Sequence, residues 1–410
     1  MEFDHHSPGF ADTWREVFAS LRRECPVLRS GEHGGFHVLS RYDDVARAGK
    51  NWRSFSTEND LDGTGRGGRG IQIPPNEVRM GMLEMDPPAN LDYRRLLTAL
   101  FSTTAVARYE PRLRELVTWC VDRVIEAGSC DVVADLANPV PAMVTLDYLG
   151  IPVDRGLRYG DILHRSVCTL RGTEAFAEVM VELQWLVGDL HALVVERRTE
   201  PARPDVIGHL MTSEINGRAL TDAELAELLF MLLNGGVDTT TGAISHMLRW
   251  LSEHPAQRAE LVADPAKLPA AIEEWLRLLP PALGVGRNVV EECELSGVRL
   301  RPGDRVYLAW ASANRDEDRF DRAEECVLDR APNPHLTFGY GAHRCIGAPL
   351  AREELRLVLE EVLRRMPDLE VDGEGAQLYT DIGIVNAYSH MPARFTPGAR
   401  EGNADVVSYA

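Results

Sequence analysis

The chain has 410 residues, 44% of them hydrophobic, so it is long enough to bury a large core. Its 44 Lys and Arg against 63 Asp and Glu give a net charge of −19, which argues against a nucleic-acid partner. Only Lys50 and Lys267 are lysines, and no stretch is long and apolar enough to span a bilayer, so we expect no membrane association. Seven scattered cysteines and no secretory signal predict a reducing, cytoplasmic location.

The first hundred residues predict short elements of both kinds. Hydrophobic periodicity favours a helix from Trp14 to Arg23, a strand over Phe36–Leu39 and a helix from Tyr42 to Ala48. The segment from Asp62 to Gly70 then holds five glycines, and such a composition buries little surface. It is either a plain surface linker or a lid over a pocket.

Helices dominate the middle of the chain. Asp86-Pro87-Pro88 opens one helix, several more follow up to Arg198, and a capping box at Thr221 starts another that runs to about His254. That last helix, of about 30 residues, would be roughly 45 Å long. Its centre, from Asn234 to Thr241, contains two glycines and three β-branched threonines, which are poor helix formers. A broken local rule in a long element suggests a functional site.

The segment from Phe338 to Gly347 places one cysteine in a glycine-rich loop before a helix. Pro349 suits the first turn of that helix, so Cys345 lies just before its N-terminus. Free backbone N–H groups there would lower the pKa of the thiol, as a metal-ligating thiolate requires. A zinc site is disfavoured, because no second cysteine completes a tetrahedral set beside His343 and His335.

The same loop resembles the haem-binding signature of cytochromes P450, F-G-x-G-x-H-x-C-x-G. The resemblance implies a mainly α fold with small β-sheets, in one domain over residues 1–410 with a polar tail from about residue 398. Haem b would lie between the long helix and the cysteine loop, and Cys345 would ligate its iron. The other cofactor-binding residues implied are Arg94, Arg287, Phe338, Gly339, His343 and Gly347. Asn90 stands where the family usually has a histidine, so one propionate contact differs.

Two further motifs follow the family pattern. Asp238-Thr239 resembles the acid–alcohol pair of the oxygen-binding segment, which delivers protons during dioxygen cleavage. The alternative for Thr239 is a bond back to the Gly235 carbonyl, one turn earlier. Glu274 and Arg277 match the E-x-x-R motif, and Arg330 would complete a buried structural network. On spacing alone, Glu274 and Arg277 would be an exposed helix pair.

The resemblance implies a bacterial-type monooxygenase that inserts one oxygen atom of O2 into an apolar small molecule, such as a terpenoid, steroid or macrolide. Electrons would come from a ferredoxin and an NAD(P)H-dependent ferredoxin reductase, and the protein would be monomeric. The alternatives are a haem-thiolate gas sensor and a peroxide-driven peroxygenase. The substrate-lining residues expected from the family pattern are Met231, Gly235, Leu283, Val285, Ile384 and Val385.

Two hypotheses concern arginines. Arg66 or Arg69 in the glycine-rich loop would meet a polar end of the substrate. A basic patch on the cysteine side would attract an acidic electron donor, and its members would be Arg94, Arg95, Arg344, Arg352 and Arg356.

Overall fold

The structure is a computed structural model that describes residues 3–61, 63, 69–75 and 78–402. Its helices are Phe10–Glu24 (α1), Tyr42–Lys50 (α2), Ala89–Thr98 (α3), Thr103–Asp122 (α4), Pro139–Leu149 (α5), Gly156–Cys168 (α6), Glu174–Arg197 (α7), Val206–Thr212 (α8), Asp222–Glu253 (α9), Pro255–Ala263 (α10), Leu268–Leu278 (α11), Trp310–Ala313 (α12) and Ala348–Arg365 (α13). Its strands are Val27–Ser30 (β1), Phe36–Leu39 (β2), Phe55–Ser56 (β3), Ser129–Asp131 (β4), Glu214–Ile215 (β5), Arg218–Ala219 (β6), Val285–Val289 (β7), Cys293–Leu295 (β8), Val298–Leu300 (β9), Arg305–Leu308 (β10), Glu370–Val371 (β11), Gln377–Leu378 (β12), Tyr388–His390 (β13) and Pro392–Arg394 (β14). The expected mainly α fold with small sheets is confirmed. The proposed glycine-rich lid lies largely outside the described residues, as does Arg66.

A five-stranded mixed sheet forms one side of the molecule, in the order β1-β2-β10-β7-β3. β10 is parallel to β2, with Tyr307 opposite Val38, and antiparallel to β7. All four residues of β2 and of β10 are buried, as expected for central strands that are covered on both faces. The sheet carries Val285 and Arg287, both on β7, to the edge of the main cavity.

The long helix α9 has 32 residues, or about 48 Å of length, and packs against α5, α7 and α13. Its predicted capping box is present: Thr221 Oγ1 accepts from the Glu224 N–H at 3.3 Å, and the Glu224 carboxylate accepts from the Thr221 N–H at 2.9 Å. Its side chains are buried on most faces, as expected for a helix in the centre of a helical core. The helix continues without interruption through the glycine pair, so neighbouring helices outweigh the poor local propensity.

Helices α4, α5, α7, α9, α11 and α13 enclose the largest apolar cluster, and two smaller clusters lie against the sheet. One of these packs Phe3, Trp14 and Phe18 from the N-terminal region against Tyr307 of β10. The main cavity takes its lining from both the helical cluster and the sheet side, for example Leu350 and Trp310. The fold therefore places a pocket between α9 and the loop that precedes α13.

Residues expected to begin a polar tail are attached to α13 and to the turn that follows α4. The Gly398 N–H donates to the Ile125 carbonyl at 2.9 Å, and Glu401 forms an ion pair with Arg364 at 2.6 Å. Residues 403–410 lie outside the description. Across the described residues, none of the helices combines the length and the apolar character needed to cross a bilayer.

Candidate active site

The cysteine loop folds back on itself before α13. The Cys345 N–H donates to the Phe338 carbonyl at 2.7 Å, and the Gly339 N–H donates to the Leu336 carbonyl at 2.8 Å. Gly341 has a φ of 76°, and a Cβ there would lie 2.6 Å from the Gly49 carbonyl oxygen. Only glycine fits this position without displacing α2. The backbone thus fixes the direction of the cysteine side chain.

The Cys345 thiol faces the cavity from just before the first turn of α13. Burial raises the pKa of this thiol above its ordinary value, although the N–H groups of Gly347 and Ala348 and the charges of Arg94 and Arg352 oppose the rise. The expected net lowering is therefore wrong, because the helix terminus is outweighed by desolvation. A thiolate at this place is favoured when it coordinates a cation, since the cation compensates the charge that burial penalises.

A fully buried ion network holds the start of the loop. Glu274 accepts two hydrogen bonds from Arg277 at 2.8 Å, one from the Val327 N–H at 2.8 Å, and bonds from Arg330 Nε at 3.0 Å. Arg277 also donates to the Asn314 carbonyl at 2.9 Å. These contacts match the structural role expected for Glu274, Arg277 and Arg330, and they exclude the exposed helix pair.

The Asn314 side chain carries this network into the loop. Asn314 Oδ1 accepts from the Leu336 N–H at 2.6 Å, and Nδ2 donates to the Thr337 hydroxyl at 2.8 Å. Thr337 in turn donates to the Leu276 carbonyl at 2.6 Å. The loop is therefore attached to α11 by a continuous chain of hydrogen bonds.

Three cationic or basic side chains border the cavity, which measures about 310 Å³. Arg287 is 4% exposed and donates a hydrogen bond to the Gly286 carbonyl, while Arg94 donates to the Arg344 carbonyl at 2.6 Å. Among the described residues, no carboxylate lies within ion-pair distance of either guanidinium. Burial lowers the pKa of Arg287 to about 10, which shows how poorly its charge is compensated. A buried arginine of this kind fits an anionic ligand, so the residues fit the propionates of a haem.

His343, the third of these residues, is held by two contacts that the sequence did not reveal. Asn90 Nδ2 donates to His343 Nδ1 at 3.3 Å, and Nε2 lies 3.2 Å from the Thr57 hydroxyl. Burial and the nearby arginines lower the pKa of His343 to about 3, so the ring is neutral. Asn90 is 1% exposed and its Oδ1 has no partner among the described residues. Asn90 therefore orients His343.

The opposite wall of the cavity is the centre of α9. Thr239 lines it and donates to the Gly235 carbonyl at 2.7 Å, so the back-bonded alternative is present in a residue that also faces the pocket. Gly235 lines the cavity as well, and a Cβ there would meet no atom within 4 Å. The helix thus leaves open space at Gly235 in the cavity that Cys345 also lines.

Asp238 points away from the cavity, into a buried polar cluster. Its Oδ1 accepts from the Tyr379 hydroxyl at 2.9 Å and lies 3.0 Å from His164 Nδ1, which is 2.7 Å from the same hydroxyl. Burial and the Asp238 charge raise the pKa of Tyr379 well above its ordinary value, so the phenol keeps its proton and acts as a donor. Asp238 Oδ2 is buried without a partner among the described residues.

Three of the six residues expected to line the substrate pocket lie along the cavity. Met231, Gly235 and Val285 line the cavity, whereas Leu283, Ile384 and Val385 do not. Leu283 precedes β7 and packs with Val385 in the cluster beneath the sheet, so their side chains contact the core instead. Arg69 donates to the Gly303 carbonyl at 3.4 Å and is likewise outside the lining. The lining residues that the sequence did not indicate include Met82, Leu83, Phe101, Thr145, Tyr148, Thr240 and Ala243.

The expected basic patch is largely neutralised. Arg352 pairs with Glu273 at 2.6 Å and stacks over the Phe338 ring at 4.4 Å from its centroid. Arg356 pairs with Glu353 and Glu360. Arg95 pairs with Asp92 at 2.7 Å, and Arg94 is half buried. Arg95 and Arg356 pair with acids on their own helices, and Arg352 pairs across α13 and α11 with Glu273.

The cytochrome P450 family model matches residues 180–265 and 266–380. The steroid C26-monooxygenase of Mycolicibacterium smegmatis is 33% identical over 389 residues, which cover 94% of this chain and 93% of that protein. The erythromycin C-12 hydroxylase of Saccharopolyspora erythraea is 32% identical over 395 residues, covering 94% and 96%. The solved structure of a Mycobacterium marinum cytochrome P450 in complex with pseudoionone has a TM-score of 0.86 at 30% identity, covering 94% of this chain and 95% of that one. The chain therefore belongs to the cytochrome P450 family, and it is a P450 monooxygenase with a haem cofactor.

Proposed function

We propose that the protein hydroxylates or epoxidises a mostly hydrocarbon natural product of steroid, macrolide or terpenoid type. The observation that carries the proposal is the cavity itself, which has Cys345 on one wall and Gly235 and Thr239 on the other. Between them the lining is mainly apolar, so binding is driven by removal of apolar surface from water, at about 25 cal/mol per Å². Relatives whose names specify a steroid or a macrolide support the same substrate class.

The cofactor is proposed to be haem b, with its iron ligated by Cys345 and its propionates bound by Arg94, Arg287 and His343. The bound group would supply reductive cleavage of O2, with two electrons and two protons, so that one oxygen atom enters the substrate and the other leaves as water. The protein contributes placement: the hydrogen-bonded loop orients the sulfur, and the buried guanidiniums compensate the carboxylates.

We propose that Thr239 and Asp238 deliver protons at the α9 wall of the cavity. The Thr239 hydroxyl lines the cavity and can exchange its bond to Gly235 for one to a ligand. Asp238 points away from the cavity, is held by Tyr379 and retains one oxygen without a partner among the described residues; we assign it the step that brings a proton towards Thr239 from behind this wall.

Electrons are proposed to come from a ferredoxin with its NAD(P)H-dependent reductase, because a P450 of this kind requires a separate redox partner. We further propose a single-domain monomer in the cytoplasm. All seven cysteines are free in the structure, which supports a reducing compartment.

Substrate titration tests the proposed class directly. Steroids, macrolides, terpenoids and matched polar analogues should be added while the haem spin-state shift is followed. The hydrocarbon-rich ligands should shift the spectrum at micromolar concentrations, and failure of all of them would contradict the apolar pocket. Reduced, CO-bound Cys345→Ser should lose the red-shifted Soret band of a thiolate ligand, whereas Cys120→Ser, a buried cysteine outside the cavity, should keep it.

Product and peroxide yields per NAD(P)H test the proton path. Thr239→Ala should divert electrons to hydrogen peroxide, while Asp238→Asn should slow turnover. Thr241→Ala is the matched control, because Thr241 is fully buried and bonds back to the Val237 carbonyl on a face outside the cavity. Unchanged coupling in Thr239→Ala would contradict the role given to its hydroxyl.

A further inference from the structure

Among the described residues, one group of histidine and acidic side chains is compact enough to hold a metal ion. Asp4, His5 and His33 each offer one ligand atom, and these atoms all lie within 4.8 Å of one another. The group joins the N-terminal segment to the turn between β1 and β2. It shares no residue with the lining of the main cavity, so its chemistry is separate from that of Cys345.

The carboxylate and one imidazole are already in contact. Asp4 Oδ1 lies 2.8 Å from His33 Nε2 and also accepts the His6 N–H at 2.9 Å. Two ligand atoms on a tetrahedral Zn²⁺ lie roughly 3.4 Å apart, so the widest edge of the triangle must close by about 1.4 Å at most. The His33 ring, which contacts Asp4 and stacks near Phe36 at 6.3 Å between centroids, would make that adjustment by a small rotation.

His5 provides an independent observation. Its side chain is 1% exposed, and Nδ1 is buried without a hydrogen-bond partner among the described residues. An unpartnered buried nitrogen is costly and calls for a ligand such as an ion or a water molecule. The Tyr307 ring, 4.6 Å away between centroids, and the Phe36 ring, 5.7 Å away, hold His5 in place.

We infer that Asp4, His5 and His33 form a binding site for a divalent transition-metal ion, for which Zn²⁺ is the best match. Two imidazoles and one carboxylate are ligands that Zn²⁺ binds tightly, whereas Mg²⁺ and Ca²⁺ prefer a full set of oxygens. The nearby charges are mixed, with Asp4 and Asp381 on one hand and Arg171 on the other. The hydrogen bond from the His6 N–H orients the Asp4 carboxylate, as supporting contacts do in zinc sites.

The metal would fasten the N-terminal segment beside the main cavity. His6, next to the site, contacts Asp381 at 2.9 Å through Nδ1 and the Ile73 carbonyl at 2.9 Å through Nε2. Ser30 donates to the Phe3 carbonyl at 2.7 Å. Ile71, two residues before Ile73, lines the cavity. The role of the ion is structural: it joins the N-terminal segment to the turn between β1 and β2, and His6 links that segment to the stretch that borders the substrate pocket.

Calorimetric titration of the haem-loaded protein with Zn²⁺ tests the site, with Mg²⁺ as the comparison ion. Wild type should bind one Zn²⁺ per chain at micromolar or lower concentration and should not bind Mg²⁺ in that range. His33→Ala and Asp4→Asn should each raise the dissociation constant at least tenfold. His390→Ala is the matched control, because His390 and Asp131 form another exposed His–Asp pair and belong to no such triangle.

Thermal unfolding gives a second readout that does not depend on activity. Zn²⁺ should raise the Tm of wild type and of His390→Ala, and it should leave that of His33→Ala and Asp4→Asn unchanged. Equal Zn²⁺ affinity in wild type and His33→Ala would overturn the inference, as would no Zn²⁺ binding by wild type. An equal loss in His390→Ala would place the ion elsewhere and overturn it too.

Discussion

The cysteine loop and the centre of α9 face each other across one cavity, yet they are built in opposite ways. Around the loop, Glu274 is fully buried and both of its oxygens accept hydrogen bonds from neighbouring residues. On α9, Gly235 faces open space, and Asp238 keeps one oxygen without a partner among the described residues. The loop is fixed by the protein alone, whereas the helix centre leaves open space in the cavity at Gly235 and, behind that wall, a carboxylate oxygen with no hydrogen-bond partner in the described part of the chain. The cysteine loop is the rigid wall of the cavity, and the centre of α9 is the reactive wall.

The largest expected effect comes from removing the Glu274 charge that holds the rigid wall. Glu274→Gln leaves two buried guanidiniums without a counter-charge, and removing one partner of a buried pair costs about 3–5 kcal/mol. We expect most of the variant to fail to incorporate haem, measured by the Soret absorbance per milligram of protein. Glu325→Gln is the control, because the exposed Glu325 carboxylate has Arg322, at 3.5 Å, as its one ion-pair partner in the described part of the chain. Wild-type haem content and Tm in Glu274→Gln would show that the network does not hold the loop.

Arg287 lies at the border between the two regions. Arg287→Met should lose a charge-assisted hydrogen bond to the haem, worth about 1.5–3 kcal/mol. Haem release should therefore be about ten- to a hundredfold faster, measured as transfer of haem to an excess of a haem-free acceptor protein. Arg299→Met, an exposed arginine on β9, should release haem at the wild-type rate. Because Arg287 has no ion-pair partner among the described residues, the haem-free variant should unfold at no lower temperature than haem-free wild type. A lower Tm of the haem-free variant would mean that Arg287 stabilises the fold itself, as the residues of the rigid wall do.

Tyr379→Phe tests whether the buried polar cluster positions Asp238. It removes the hydroxyl that donates to Asp238 and keeps the ring, so turnover should fall about tenfold, the effect of one hydrogen bond to a charged group. The Soret spectrum and substrate affinity should stay unchanged. Tyr388→Phe, on β13, is the control, since its ring packs against His246 outside the cavity. If Tyr379→Phe turned over at the wild-type rate, the cluster would not position Asp238.

The smallest expected effect is on the pH dependence of stability, through Glu273 and its contacts with Arg352 and His335. Burial acts to raise the pKa of Glu273, but hydrogen bonds from Arg352 and His335 outweigh it and lower the pKa to about 2. A depressed carboxyl pKa stabilises the fold above the unfolded-state value of about 4.3, and that contribution is lost as the pH falls towards 2. Acid unfolding of Glu273→Gln should therefore show a shallower loss of stability than wild type between pH 4.3 and 2. Identical slopes would mean that Glu273 contributes nothing there.

Local sequence signals identified the parts of the site that depend on neighbouring residues. The capping box at Thr221, the helix after Cys345 and the pairing of Glu274 with Arg277 all join groups three or four residues apart. Arg330, 56 positions from Glu274, was reached only through the family resemblance. Local chemistry and a known pattern together were sufficient for the fold and for the cysteine wall.

The remaining features depend on contacts between distant segments. Asp238 meets His164 and Tyr379 from 74 and 141 positions away, and no periodicity predicts such a meeting. Arg352 was expected to be free because Glu273 lies 79 positions before it. The pKa of Cys345 was predicted in the wrong direction, because the sequence shows a helix terminus but not the residues around the cavity mouth that desolvate the sulfur.

The capping box of α9 also sets the rotational phase of that helix. Glu224 is bound by the Tyr93 hydroxyl at 2.7 Å and by Arg218 at 2.7 Å, so the first turn is fastened to α3 and to the hairpin before it. Each residue added or removed between Glu224 and Gly235 would turn everything downstream by about 100° and shift it by about 1.5 Å. Thr239 would then face a neighbouring helix instead of the cavity. The ten positions between Glu224 and Gly235 therefore set the phase by their number: substitutions there change packing, but a change of length changes which side chains face the pocket.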